Sequence, residues 1–138
     1  MRSLETHFGR VFVIRLDTGD DILGSLEKAV AEHSVKNGVF LGEIGSVRKY
    51  HIHVVADDNL PPKDVFPKGE EPLDILSLTG QVMNGRIHAH IGFSGTDSTF
   101  GGHLEEGCEV LSFSCVWLAE VEGVDLTDWD RLGSLDEG

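Results

Sequence analysis

The sequence predicts an α+β domain, a mostly antiparallel β-sheet packed against one main α-helix. Three observations lead there. Apolar, β-branched and aromatic residues recur in short alternating segments along most of the chain; one segment alone has strong helical spacing; and Asn84-Gly85 separates two such segments as a tight hairpin turn would.

Residues 9–16, GRVFVIRL, alternate and read as the first strand. The turn DTGDD follows and offers Thr18 or Asp20 as helix N-caps. Ile22, Leu26, Ala29, Val30 and His33 then recur at helical spacing, giving an amphipathic helix over about 21–35 that Asn37-Gly38 ends. Segments 39–46 and 47–56 read as two strands around a Gly45-Ser46 turn. Residues 57–72 contain all four prolines and many charges, the signature of a long loop; strands resume at once, which argues against a domain linker. LDILSLTGQVM and RIHAHIGF flank the Asn84-Gly85 turn, and a last long strand runs over about 108–121. Beyond it lies an acidic tail, 122–138, with Leu126, Trp129 and Leu132 at helical spacing, either a short docked helix or a partly ordered end.

A length of 138 residues fits one domain, 1–138, since two would each have a thin core. The 40% hydrophobic and 25% charged content is that of a globular domain, and no run approaches the roughly 20 apolar residues that a membrane-spanning helix needs. The opening MRSLETHFGR lacks the apolar core and cleavage site of a signal peptide, so the expected location is cytoplasmic. Eleven basic residues against twenty-four acidic ones give a net charge of −13, which weighs against binding a polyanion. Cys108 and Cys115 are seven apart in an apolar run, so on a strand they face opposite sides and are expected as reduced thiols. No phosphate-binding glycine loop and no nucleophile elbow occurs.

The chemistry lies in IHAHIGFSGTDSTFGGHL, residues 87–104. On a strand, His88 and His90 project from the same face, and the hairpin before them fixes their register. His103 follows Gly101 and Gly102, which let the backbone approach closely or take positive φ and return the third imidazole to the pair. Three imidazoles suit Zn²⁺ and leave a fourth position for water or a substrate, the pattern of catalytic zinc. Glu43, Asp97 and Glu105 are the carboxylates that a base role would draw on, unplaced by sequence. Spacing alone leaves two readings open, a metal site or ordinary strand and loop histidines. A second His-x-His, His51 and His53, shows that the chain tolerates the pattern without a partner; these two are expected to be exposed strand residues, although all five histidines converge if their strand neighbours the other.

The order RLDTGDDILGSLEKAVAEH, GEIGSVRKYHI, LDILSLTGQV and HAHIGFSGTDSTFGGHLEEG resembles the PPC domain family of plants and prokaryotes, over about residues 8–121. Its most specific part is His88, His90, Gly101, Gly102, His103, Leu104 and Gly107. The resemblance implies the α+β fold, a homotrimer, and a metal, zinc, on His88, His90 and His103, with Gly101, Gly102, Leu104 and Gly107 as the supporting loop. A small-molecule ligand or a reaction at the metal would be consistent with it. Plant members join this domain to AT-hooks, and single-domain prokaryotic members carry a DNA-binding label by analogy. This chain has no Arg-Gly-Arg-Pro hook, and a trimer would multiply its negative charge by three. A third reading is an assembly module that recruits another protein.

Overall fold

A computed structural model describes residues 1–135; the last three residues of the acidic tail lie outside the described residues. The chain runs β1 (His7–Asp17), α1 (Ile22–Glu32), β2 (Asn37–Val55), β3 (Asp64–Val65), β4 (Lys68–Met83), β5 (Arg86–Ser94), β6 (Thr99–Leu104) and β7 (Glu109–Glu122). All pairings between these strands are antiparallel, in the order β1-β7-β2-β4-β5-β6, with β3 on β2. β6 also pairs with β2, so β2, β4, β5 and β6 close into a small barrel. The predicted fold class holds.

Several local expectations change. Residues 37–55 form one 19-residue strand, with no turn at Gly45-Ser46. β4 holds both residues in register and β7 holds Gly45, while irregular pairing with β7 between Gly45 and Val47 absorbs what the sequence suggested was a turn. The proline-rich segment is shorter than expected: β3 and the start of β4 lie within it, and Pro72 is inside β4. The loop between His90 and His103 contains β6. Around Trp129 the chain makes turns, and no helix forms at 126–132.

Asp21, one residue later than expected, is the helix N-cap. Its Oδ2 accepts from Gly24 N–H at 2.8 Å, while Oδ1 accepts from Gly107 N–H at 2.7 Å. Such a cap contributes about 1 kcal/mol, and here it also ties the helix start to the chain leaving β6. Asp20 instead closes the turn after β1, accepting from Asp17 N–H at 2.8 Å, and Thr18 donates to the Leu111 carbonyl. Asn37-Gly38 does not end the helix: Glu32 is its last residue, and Ser34 at φ 54 turns the chain out. The Asn84-Gly85 hairpin forms as read, both residues with positive φ, the requirement of a type I′ turn.

Ile22, Leu26 and Val30 of α1 are buried with Phe40, Leu78, Val82, Ile91, Phe93, Leu104, Val110, Val116 and Leu118 from the sheet in a single core. On β5 the alternation is regular. Ala89, Ile91 and Phe93 are buried, so His88 and His90 must point to the other side. Cys108 is buried and Cys115 half-buried, both free thiols.

Candidate metal centre

Strand register assembles the site. His103 on β6 pairs with His90 on β5 at one edge and with His53 on β2 at the other. Three imidazoles therefore stand in a row across three strands. His88, two residues before His90, lies on the same face, as does Glu105, two residues after His103. The rings of His88 and His103 are 4.6 Å apart between centroids, those of His88 and His90 5.5 Å, and those of His90 and His103 5.8 Å. One nitrogen from each of His88, His90 and His103 lies within 4.8 Å of the others.

The glycine pair acts through close approach. A Cβ on Gly101 would stand 2.4 Å from the Ile91 carbonyl oxygen, and one on Gly102 2.7 Å from that of His53. Without side chains there, β6 fits between β5 and β2 and brings His103 level with both neighbours. Neither glycine has positive φ. Leu104 anchors the strand end in the core, and Gly107, at φ 115, is the residue whose N–H Asp21 accepts.

At His90 and His103 the surroundings favour the neutral imidazole, the form with a lone pair to give. Burial, then the neighbouring imidazoles of His53 and His88, push His103 down to about 4. Burial and the same two neighbours also lower His90. His88 is fixed from outside: its Nδ1 lies 2.7 Å from Asp130 Oδ2. With Nδ1–H donated to the carboxylate, Nε2 keeps its lone pair, the carboxylate–histidine arrangement of metal sites. Asp130 is clamped by Arg86 through two contacts of 2.6 and 2.9 Å, and that guanidinium, with His88 adding, holds its carboxyl far below the usual carboxylate range.

Asp130 comes from the acidic tail and has no motif in the sequence. Asn37 docks the segment before it: its amide donates to the Val124 carbonyl and its carbonyl accepts from Leu126 N–H. Trp129 and Asp130 then wall a cleft of about 300 Å³ with Val39, Thr79, Gly80, Gln81, His88 and His90.

His51 and His53 are half-buried, not the exposed strand residues expected. Their strand neighbours β6, not β5, and only His53 reaches the cluster, its ring stacked on His103 at 4.1 Å and its Nδ1 2.5 Å from Glu105 Oε1. His51 turns to the Glu106 carbonyl at 2.7 Å. Of the three carboxylates named from sequence, only Glu105 joins the histidines. Asp97 is exposed between β5 and β6.

Glu43 lines a different cleft, with Leu41, Gly42, Ile44 and Trp117. Its Oε1 accepts from Ser114 at 2.8 Å, its Oε2 is buried with no partner, and burial pushes the carboxyl up to about 7. Between the ordinary carboxylate value of about 4.3 and this one, the folded chain holds a proton that the unfolded chain has lost. Stability is therefore expected to fall as pH rises through that window. Urea midpoints from about pH 5 to 8 should decline less in Glu43→Gln, which stays neutral throughout; equal slopes in the two proteins would reject the assignment.

The fold and this face define an α+β domain with a closed four-strand barrel that presents a histidine cluster beside a tail-walled cleft. The chain belongs to the Plants and Prokaryotes Conserved (PCC) domain family, whose model matches residues 3–122. A metal-containing protein from Archaeoglobus fulgidus is 29% identical, with a TM-score of 0.79 over 91% of this chain and 89% of that one. A plant- and prokaryote-conserved (PPC) protein from Pyrococcus horikoshii is 19% identical, with a TM-score of 0.77 over 97% and 92% of the two chains, and shows the fold alone. The bifunctional protein GlmU of Synechococcus sp. (strain JA-3-3Ab) is 28% identical over 120 residues, 86% of this chain. The chain spans only 18% of that relative's length. No helix among the described residues is long and apolar enough to cross a membrane.

Proposed function

We propose that this chain is a zinc-binding PCC domain that works as a homotrimer, with His88, His90 and His103 as the metal ligands and the adjoining cleft as a small-molecule site. The observation that carries the proposal is the convergence of three histidine nitrogens within 4.8 Å, one of them on a ring already oriented by a carboxylate. Three imidazole nitrogens form a borderline-soft donor set, which suits zinc better than magnesium or calcium. When bound, zinc supplies a Lewis acid and acidifies a coordinated water. The chain's own contribution is to hold His88 in one tautomer, keep His90 and His103 neutral, and offer Thr79, Gln81 and Trp129 to a ligand in the cleft. Gly101, Gly102, Leu104 and Gly107 support the ligands by strand spacing and anchoring.

The homotrimer draws support from an uncovered apolar patch. Val13 and Trp117 are cross-strand partners on β1 and β7, and both are exposed, as are Leu41 and Ile44 beside Trp117. DNA binding is the weaker reading, because eleven basic residues against twenty-four acidic ones leave a net charge of −13. Metal analysis coupled to sedimentation tests the proposal. One zinc per chain in a particle three times the 15.1 kDa chain mass is expected; a metal-free monomer after purification with added zinc would overturn it.

A further inference from the structure

The row of imidazoles does not end at His103. His53, His103 and Glu105 also bring one ligand atom each within 4.8 Å of the others, and all three are half-buried. We propose that these residues form a second position for a first-row divalent cation, which overlaps the three-histidine position by sharing His103. This inference rests on the reading of His88, His90 and His103 as a cation site only through that shared ring.

Register dictates the arrangement. His53 is the direct cross-strand partner of His103, and their rings stack within 18° of parallel. Glu105 follows His103 by two residues and so returns to the same face. The 2.5 Å contact from Glu105 Oε1 to His53 Nδ1 fixes that imidazole as the carboxylate of Asp130 fixes His88. A cation seated here would take the place of the proton shared across that contact, with Nδ1 of His53 and a Glu105 oxygen as ligand atoms beside His103.

The two positions differ in chemistry. His88, His90 and His103 offer three nitrogens; His53, His103 and Glu105 offer two nitrogens and an oxygen, a harder set that favours zinc, copper and nickel less strongly. A neutral imidazole has one lone pair to give, so His103 serves one position at a time. The wild-type chain then holds one ion, with the second position as the alternative seat.

Cobalt(II) titration followed by visible absorption reads both occupancy and ligand set. Wild type is expected to bind one cobalt per chain. His88→Gln/His90→Gln should still bind one, more weakly by on the order of tenfold or more because an oxygen replaces a nitrogen, and with an altered spectrum. Adding His53→Ala and Glu105→Gln to that variant should abolish binding. No cobalt on His88→Gln/His90→Gln, where wild type binds it, would overturn the second position, as would two ions on wild type for the sharing of His103. Equal affinity in wild type and His90→Ala would instead count against the three-histidine reading. If the double variant does not fold, His90→Ala, at an exposed ring, takes its place; Glu105→Gln added to it must then remove the residual site, and unchanged binding would overturn the proposal.

Discussion

Replacing His103 with alanine is expected to strip zinc from the protein, from near one ion per chain to less than about a tenth, while the fold stays intact. His103 is in register with His90 on one side and His53 on the other, and it is common to both groups of converging ligand atoms. No other single substitution removes a ligand from both. The fold is expected to survive because the core lies on the opposite face of the barrel, in Ile91, Phe93 and Leu104, and needs no imidazole. Thermal unfolding adds a second measure. An ion at 100 times its dissociation constant stabilises a folded chain by about 2.7 kcal/mol, so zinc should raise the wild-type midpoint and leave that of His103→Ala unmoved. His51→Ala is the control, since that ring is occupied by the Glu106 carbonyl. Full zinc on His103→Ala would sink the three-histidine reading.

The fold was legible wherever one face of an element meets the core. Alternation in GRVFVIRL and RIHAHIGF follows burial, and Asn84-Gly85 has a turn chemistry that few alternatives satisfy. Gly45-Ser46 misleads because local turn propensity competes there with two neighbouring strands, and the ladder on both sides of β2 wins. Pro72 sits inside β4, so a proline cluster marks a loop less reliably when a strand has room for a residue without an N–H.

The site was legible in part for a similar reason. His88 and His90 follow from strand period alone, and the glycine pair before His103 announces close backbone approach. Whether β6 would lie between β5 and β2 is a matter of non-local pairing, and on that depends which of His51 and His53 meets the cluster. Glu43 looked equivalent to Glu105 in sequence, yet it lies on the part of β2 that pairs with β7, far along the strand from His53, and lines a different cleft. Asp130 had no local signal: its position depends on a tail tied down by the side chain of Asn37, more than ninety residues earlier.

Asp130 should therefore govern how tightly the ion is held without being a ligand to it. Its Oδ2 fixes the His88 tautomer, and Arg86 fixes Asp130, so the order of action runs from Arg86 through Asp130 to the imidazole. Asp130→Asn keeps the shape but removes the charge that holds a proton on Nδ1. Loss of such a partner costs about 10- to 100-fold in metal affinity, about 1.4 to 2.7 kcal/mol at 25 °C, with the stoichiometry unchanged. Asp130→Ala should lose at least as much, because the contact from Arg86 goes with it and Trp129 loses its neighbour in the cleft wall. A merely structural role would lower the unfolding midpoint and leave affinity alone. Competition titration with a chromophoric zinc chelator separates the two, and nitrogen-15 NMR of the metal-free histidines reads the tautomer directly. In wild type His88 should carry its proton on Nδ1; in Asp130→Asn the two tautomers should mix. Wild-type zinc affinity in Asp130→Asn would show that the tail closes the cleft but does not tune the ligand.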